Sequence, residues 1–580
     1  MKPAVLRKGS RSRILATVIL GIAVIFVVRL FYLQIIQHGH YVELANAEQM
    51  QRDRIPAQRG EIYAMSGDTP VKMVLNETVY TVWVDPSIIT DPGKVADLMK
   101  QVAGGNVRDG FENLLTKKET RYQIIAYKVT RTQADKIKAA GLSGIGFQAV
   151  SQRVYPEEGL ASQVLGFVDA DGNGQYGLEG YENSALKGTD GLLETVTDIS
   201  NVPLTIGNNN IRQPAVDGKN IVMSLDRNIQ SHTEQALAAG LQRTGATAGS
   251  VLVMNPNNGQ VLAMANLPTY NPGQYNQVTD PAAFNNGTIS APYEPGSDVK
   301  TFTMATGIDK GVVKASDTYN NTDYIQVDDR TITNATKGHT GLISFQTALT
   351  WSLNTGFVTV AERLGDGHNI TLQARQTMYQ YFHDRFRLGQ LTGVELANEN
   401  PGILISPSDP DGNAVRYSNM SFGQGLDATM VQVSGGFSSL INGGNYYKPT
   451  IIAGQMVNDE FQKDPEPKPL QTGVVTQSTS DQMRQMMETA RAVSFGKTDK
   501  PGYRIGGKTG TSQVIENGAY SNTETIGTYL GYGGADTPQY VIMVSVSGKD
   551  KQLQGARDAL PIFTDISNWL LDYLKIQPRG

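Results

Sequence analysis

Residues 293–311 read YEPGSDVKTFTMATGIDKG, a turn followed by a helical pattern. Pro295 and Gly296 end the element before them, so we expect a helix to open at Ser297. Lys300 then returns to the side of Ser297 one turn later, and Gly311 suits the end of the helix. The apolar stripe expected to face the core consists of Val299, Phe302, Ala305 and Ile308.

A serine and a lysine at this spacing indicate nucleophilic catalysis. A serine hydroxyl attacks a carbonyl only when a base removes its proton. A lysine amine is such a base once burial and a second cation have lowered its pKa, and Lys508 is the natural second cation. The positive end of the helix also favours the oxyanion that forms. Ser297 and Lys300 are therefore the candidate nucleophile and base.

Ser-x-x-Lys alone is a weak signal, because the chain also contains it at Ser184–Lys187 and Ser494–Lys497. Two further motifs favour the pair at Ser297. Ser352-Leu353-Asn354 and Lys508-Thr509-Gly510-Thr511 follow it in this order, and each occurs once. This trio of motifs is typical of β-lactamases and penicillin-binding proteins.

With these motifs the chain resembles the class B penicillin-binding proteins over nearly its whole length. Tyr293–Gly296 and Ser421–Gly425 support the match in the catalytic part. Arg59–Ile62, Gly177–Glu179 and Asn183–Gly188 resemble landmarks of the family's non-catalytic pedestal. The resemblance implies a mixed α+β fold with an N-terminal transmembrane helix and an elongated pedestal or dimerisation domain. A serine β-lactamase-like transpeptidase domain, an antiparallel sheet flanked by helices, would follow.

The resemblance also implies catalytic roles. Ser297 would be acylated by a peptidoglycan stem peptide, which loses its terminal D-alanine, and an amine of a second stem peptide would take the acyl group. Lys300 would act as base and Ser352 would relay the proton. Asn354 would hold Lys300 and a peptide amide, and Lys508 would set the electrostatics.

The substrate-binding residues implied by the resemblance are Thr509, Gly510 and Thr511. The two threonine hydroxyls would meet the donor's carboxylate, and the N–H groups of Ser297 and Thr511 would form the oxyanion hole. Asp298 points a third of a turn away from Ser297, so we expect it to face solvent or to lie behind the reacting groups. Trp351 is expected in the core in preference to serving as a platform for substrate.

Two hairpin patterns predict the catalytic sheet. One pairs residues 250–254 with 260–265 across an Asn-Pro-Asn-Asn-Gly turn, and the other pairs 528–532 with 540–546. Because helical patterns lie between them, we expect one sheet built from distant parts of the chain. The other predicted elements are a strand over 78–84 and helices over 132–140 (capped by Thr132), 225–241 and 562–574. Residues 169–174 favour a glycine-rich turn over a calcium loop.

The N-terminus predicts a membrane anchor. Five cationic residues precede an apolar run over 14–36, which spans roughly 34 Å as a helix. Their excess predicts a cytoplasmic N-terminus and a single pass in the cytoplasmic membrane, with the bulk outside. The alternative is a cleaved signal peptide, suggested by Ala45–Ala47, although that pattern lies far past the apolar run. The expected divisions are tail 1–13, span 14–36, pedestal 37–215 and transpeptidase domain 216–580.

Composition excludes several functions. A net charge of −5 argues against a nucleic-acid partner, and the absence of Cys excludes disulfides, thiolate metal sites and Cys nucleophiles. No metal or cofactor is predicted.

The predicted activity is that of a peptidoglycan D,D-transpeptidase that binds β-lactams. Two alternatives stay open, a β-lactamase-like hydrolase and a catalytically silent β-lactam sensor or scaffold. The resemblance implies nascent glycan strands and a membrane-embedded glycan polymerase of the SEDS family as partners. Asn354 as the third residue of its motif favours the septal branch over the lateral-wall branch.

Overall fold

The computed structural model describes residues 8–41, 50–196, 211–516 and 518–579 of the chain. The candidate cleavage pattern at Ala45–Ala47 lies outside the described residues. The chain falls into two compact units, Met1–Gln58 with Gly188–Asp217, and Arg59–Lys187 with Gly218–Gly580.

The strands are β1 (Met50–Ile55), β2 (Ile62–Ser66), β3 (Thr69–Val84), β4 (Gln123–Thr130), β5 (Ile145–Val154), β6 (Phe167–Val168), β7 (Gly174–Gln175), β8 (Gly191–Val196), β9 (Ile211–Gln213), β10 (Asn220–Asp226), β11 (Ala248–Met254), β12 (Val261–Leu267), β13 (Thr318–Asn321), β14 (Tyr324–Val327), β15 (Arg330–Thr333), β16 (Gly341–Ser344), β17 (Ile452–Val457), β18 (Glu460–Lys463), β19 (Arg504–Glu516), β20 (Ala519–Gly534) and β21 (Pro538–Ser547). The α-helices are α1 (Lys8–Phe31), α2 (Pro92–Val102), α3 (Arg131–Ala139), α4 (Ser162–Leu165), α5 (Gly177–Tyr181), α6 (Asn183–Lys187), α7 (Arg227–Thr244), α8 (Gly287–Ser290), α9 (Lys300–Asp309), α10 (Phe345–Thr350), α11 (Asn354–Arg363), α12 (Leu372–Tyr379), α13 (Ala414–Met420), α14 (Met430–Ile441), α15 (Gln477–Ser494) and α16 (Leu560–Tyr573).

The first unit contains the predicted anchor and a three-stranded sheet, β1-β8-β9. Its helix runs on from α1 through a π-helical turn, so that Arg11–Ile36 form 26 helical residues. No residue of their most apolar stretch is buried. By length and composition this helix is able to cross a membrane.

The second unit is built on two sheets. In the larger one, β2 pairs in parallel with β10 and antiparallel with β3, so strands from both sides of residue 215 share one sheet. The predicted boundary between 215 and 216 therefore lies close to a strand of this sheet, and its position stays a prediction. Of residues 169–174, the first five form the turn between β6 and β7, and Gly174 begins β7. Asp169 accepts hydrogen bonds from the N–H groups of Asp171 and Asn173 within the turn.

The second sheet has the antiparallel order β12-β11-β21-β20-β19. Its strands come from two distant parts of the chain, as predicted, because both predicted hairpins form and lie side by side. Val251 and Val253 of β11 pack with helices α7 and α16 on one face. Leu252 and Met254 alternate with them and join the larger core on the other face, which includes Phe302 of α9. Helix α9 is thereby held against the sheet that carries Lys508.

The predicted helices begin at other residues than expected. Helix α9 begins at Lys300 after a 3₁₀ turn instead of at Ser297, and α16 begins at Leu560 instead of residue 562. The capping residues account for α3 and α7. Helix α3 is capped by Thr130 instead of Thr132, because Thr130 and Gln133 form a reciprocal capping box. Helix α7 begins after Asp226, whose carboxylate accepts from the first free N–H groups of the helix. Leu225, predicted as helical, completes strand β10 instead.

Candidate active site

Ser297 lies in a short 3₁₀ turn, Gly296–Val299, that leads directly into helix α9. Gly296 has a φ of +57°, and a Cβ there would lie 2.8 Å from the Thr511 carbonyl oxygen. Its N–H donates to the Gly423 carbonyl at 3.0 Å, which joins the turn to the Ser421–Gly425 segment. Glycine thus allows the turn to pass between β19 and that segment, with Ser297 half-buried at its surface.

The Lys300 amine lies at the centre of the site. Its Nζ is 3.0 Å from Ser297 Oγ, 3.0 Å from Ser352 Oγ and 2.7 Å from Asn354 Oδ1. The Ser352 hydroxyl also donates to Ser297 Oγ at 3.0 Å. Burial, and after it the charge of Lys508, hold the pKa of Lys300 well below its usual range. A neutral amine at hydrogen-bond distance can accept the proton of Ser297.

Ser352 has a strained backbone. Its φ is +57°, a conformation that L-residues other than Asn and Asp seldom adopt and that costs about 1–3 kcal/mol. Helices α10 and α11 flank it, and hydrogen bonds from Ser352 N–H to the Leu349 carbonyl and from Leu353 N–H to the Ala348 carbonyl fix the turn. The turn directs the Ser352 hydroxyl at Ser297, while Asn354 opens α11 and donates to the Thr333 carbonyl at 2.9 Å.

Strand β19 supplies the third motif. Lys508 and Gly510 are buried and alternate with Thr509, which is half-buried, and Thr511, which is exposed. Lys508 Nζ donates to the Thr509 carbonyl at 2.9 Å, and burial lowers the pKa of Lys508 to about 8 although the Asp298 charge raises it. Lys508 thus acts on Lys300 through its charge, while the two threonine hydroxyls lie on the more open side of the strand.

The structure corrects the prediction that Asp298 faces solvent. Its side chain is fully buried behind Ser297, and its Oδ2 accepts a 2.7 Å hydrogen bond from the Thr528 hydroxyl of β20. Burial raises the pKa of Asp298 to about 7, against the opposite effects of that hydrogen bond and of Lys508. The alternative prediction, a place behind the reacting groups, describes it. Helical spacing alone did not reveal that a strand covers this side of the turn.

Trp351 is a second correction. It is 42% exposed instead of lying in the core, and its ring stacks on His339 with centroids 4.6 Å apart. The reason is that Trp351 is the C-cap residue directly after helix α10, where the chain turns, and this turn buries Leu353 and leaves Trp351 at the surface.

The sequence interpretation missed Thr528. The available signal was Gly510, since a glycine inside a strand marks a close approach. A Cβ at Gly510 would lie 2.1 Å from Thr528 Oγ1 and 2.8 Å from Asp298 Oδ2. Among the residues that the structure describes, no group of three or more His, Asp or Glu side chains is placed to hold a metal ion.

Two family profiles match separate stretches of the chain. The profile of the penicillin binding protein transpeptidase domain matches residues 249–568, and that of the penicillin-binding protein dimerisation domain matches residues 54–223. The chain belongs to the class B penicillin-binding proteins. This confirms the resemblance drawn from the motifs.

Relatives of this penicillin-binding protein match it nearly end to end. Stage V sporulation protein D of Bacillus subtilis is 30% identical, over 98% of this chain and 87% of its own length. Penicillin-binding protein PbpB of Mycobacterium tuberculosis is 29% identical, over 97% and 84%.

Solved structures show the same fold. Penicillin binding protein 2X of Streptococcus thermophilus matches with a TM-score of 0.72 at 23% identity, over 90% of this chain and 80% of that one. Penicillin binding protein 3 of Mycobacterium tuberculosis, complexed with aztreonam, has a TM-score of 0.66 at 24% identity, over 91% and 98%. The predicted fold class is thereby confirmed.

Proposed function

We propose that this penicillin-binding protein is a peptidoglycan D,D-transpeptidase in which Ser297 is the nucleophile. The observation that carries the proposal is the contact of the buried Lys300 amine with the hydroxyls of Ser297 and Ser352. The family supports the activity. Relatives at 26% and 25% identity are the probable peptidoglycan D,D-transpeptidase PenA of Neisseria meningitidis and the peptidoglycan D,D-transpeptidase FtsI of Buchnera aphidicola.

The first step acylates the serine. Lys300 takes the Ser297 proton, and Oγ attacks the carbonyl carbon between the two terminal D-alanines of a donor stem peptide. The C–N bond breaks, and the proton passes through Ser352 to the leaving amine. D-Alanine departs and an ester remains on Ser297. The 3.0 Å spacings among Ser297, Lys300 and Ser352 suit such a relay.

The second step transfers the acyl group. An amine of another stem peptide attacks the acyl carbon of the ester, and the bond between that carbon and Ser297 Oγ breaks. The proton lost by the amine returns to Ser297 Oγ through Ser352 and Lys300. The cross-link is then an amide bond. Asn354 keeps Lys300 in place between these transfers, through its 2.7 Å contact with Nζ.

The third motif binds the donor. The charge of Lys508 attracts the terminal carboxylate, and the hydroxyls of Thr509 and Thr511 receive it. Between the two threonines, Gly510 pairs with Thr528 of β20, and its lack of a side chain allows this close approach. The N–H groups of Ser297 and Thr511 stabilise the oxyanion. A β-lactam carries a carboxylate and a reactive carbonyl in the same relation, which is why it acylates Ser297.

The cellular setting is part of the proposal. The helix Arg11–Ile36 anchors the protein in the cytoplasmic membrane, with a cytoplasmic N-terminus and the catalytic unit outside, where peptidoglycan lies. We propose nascent glycan strands and a membrane-embedded polymerase of the SEDS family as partners, and a septal role on the basis of Asn354.

Covalent labelling by a fluorescent penicillin tests the proposal. The full chain, solubilised in detergent, should be labelled persistently, and Ser297→Ala should not be labelled at all. Ser184→Ala is the matched control, because Ser184 is the exposed serine of another Ser-x-x-Lys sequence. Labelling that fades within seconds would support the β-lactamase-like hydrolase. No labelling of folded wild type would leave the catalytically silent scaffold.

A further inference from the structure

The Asp298 carboxylate lies in a closed compartment behind the nucleophile. Its residue is fully buried, and so is Thr528, which donates to Oδ2 at 2.7 Å. Oδ1 is also buried and has no hydrogen-bond partner among the described residues. A carboxylate withdrawn from water in this way is costly unless an opposite charge lies near it.

The compartment is bounded by the strand that carries Lys508. Lys508 and Gly510 point to the same face of β19, since alternate residues share a face. A Cβ at Gly510 would lie 2.8 Å from Asp298 Oδ2, so the carboxylate lies directly under this part of the strand. The Lys508 amine donates to uncharged oxygens of Thr509, and Asp298 is the carboxylate whose charge acts on it.

Of the other groups near this compartment, Arg491 of helix α15 lines the same cleft as Lys508 and donates to Tyr529. Its charge is paired with the Asp499 carboxylate. Two phenols also lie near Asp298. Tyr293 precedes the 3₁₀ turn, and Tyr529 follows Thr528 on β20. Burial raises the pKa of both phenols, aided at Tyr293 by the Asp298 charge and opposed at Tyr529 by Arg491, so they stay neutral. Lys300 feels the positive charge of Lys508, which lowers its pKa. The charge of Asp298 therefore acts on Lys508, and the charge of Lys508 acts in turn on Lys300.

We propose that Asp298 is a positioning residue for the transpeptidation reaction. Its carboxylate stabilises the positive charge of Lys508 inside the buried cleft. This inference rests on the proposed function. Asp298 touches neither donor nor acceptor. It acts by keeping Lys508 charged, and the charged Lys508 in turn attracts the donor's carboxylate and keeps Lys300 neutral. The hydrogen bond from Thr528 lowers the pKa of Asp298 against the effect of burial, so the ionised carboxylate predominates above about pH 7.

The expected consequence is a shifted pH profile. A lysine whose pKa is lowered to about 8 carries its charge below that pH and loses it above. Removing the negative charge of Asp298 lowers the pKa of Lys508 further. The alkaline limb of acylation then moves to lower pH, whereas a purely structural role of Asp298 would lower the rate without moving the limb.

The test measures the second-order rate of acylation by a fluorescent penicillin, from about pH 6 to about pH 10, on the detergent-solubilised full chain. Asp298→Asn keeps the shape and an acceptor for Thr528. Its alkaline midpoint should lie at least about one pH unit below that of wild type, a tenfold change in proton affinity. Asp171→Asn, an exposed aspartate in the β6–β7 turn, should leave the profile unchanged.

Thr528→Val is the second variant, since it removes only the hydroxyl that holds the carboxylate. The alkaline midpoint of the acylation rate should move in the same direction by a smaller amount. If Asp298→Asn does not fold, the midpoint of Thr528→Val tests the inference in its place. An alkaline midpoint equal to that of wild type in the folded variants would overturn the inference. Absence of labelling in wild type would instead overturn the proposed function, so the two failures are distinguishable.

Discussion

Lys300 is the residue on which the mechanism depends most. It is 1% exposed and touches Ser297, the proposed nucleophile, Ser352, the proposed relay, and Asn354, so its amine has both the contacts and the low pKa that a base requires. A permanently charged side chain in the same place would keep the contacts and lose the base.

Lys300→Arg separates these two properties. A guanidinium stays protonated and donates only, so it cannot take the Ser297 proton. We expect the second-order rate of penicillin acylation to fall by roughly 10²–10⁴-fold, the usual contribution of a positioned base. Lys497→Arg, at an exposed lysine of another Ser-x-x-Lys sequence, should leave the rate unchanged. A rate for Lys300→Arg within about tenfold of wild type would argue against Lys300 as the base.

Helix α9 shows what the residue pattern could and could not predict at the scale of an element. The helix, its turn and its apolar stripe follow from the sequence, but every residue from Lys300 to Ile308 is buried, not the stripe alone. The polar face can be buried because the threonine hydroxyls on it donate hydrogen bonds to backbone carbonyls of the preceding turn. Thr301 donates to the Asp298 carbonyl at 2.7 Å and Thr306 to the Phe302 carbonyl at 2.8 Å. The hydrophobic periodicity of the sequence treats these threonines as polar, so it predicts that their face of the helix is exposed.

Strands β19 and β20 are in such close contact at Gly510 that a Cβ there would lie 2.1 Å from Thr528 Oγ1. The motifs predicted which residues the strand contributes. They did not predict Thr528 or the buried Asp298, because contacts between distant segments depend on sheet register, which a single sequence does not specify.

Gly510→Ala tests this contact. The added Cβ would overlap the Thr528 hydroxyl and press on Asp298, so we expect a loss of about 1–3 kcal/mol in the free energy of unfolding. The rate of acylation should fall as well, since Lys508 lies on the same strand. Gly105→Ala is the control, because its Cβ would meet nothing within 4 Å. Chemical denaturation of both variants measures the difference, and equal midpoints would contradict the proposed packing.

The whole molecule combines an exposed apolar helix with a catalytic unit that is built from distant parts of the chain. The apolar helix and the catalytic sheet could both be predicted, because a long apolar run and two hairpins are local patterns. The larger sheet could not be predicted, because it depends on the parallel pairing of β2 with β10, and pairing across more than a hundred residues leaves no local signal.

The proposed topology is testable because the chain contains no Cys. Single cysteines are introduced as Ser12→Cys, before the apolar run, and Ser143→Cys, at an exposed position of the second unit. A membrane-impermeant maleimide applied to spheroplasts should label Ser143→Cys and spare Ser12→Cys until the membrane is permeabilised. The reverse pattern, or labelling of both before permeabilisation, would contradict a cytoplasmic N-terminus.

The central claim is acyl transfer through Ser297 to an amine. The most direct measurement supplies the detergent-solubilised full chain with a donor thioester that mimics an acyl-D-alanine and with a stem peptide that carries a free amine, and follows both products by mass spectrometry. The account predicts an ester on the peptide that contains Ser297 and an amide joining donor to acceptor, both absent in Ser297→Ala. Release of the free acid without amide, or amide formation that survives Ser297→Ala, would contradict it.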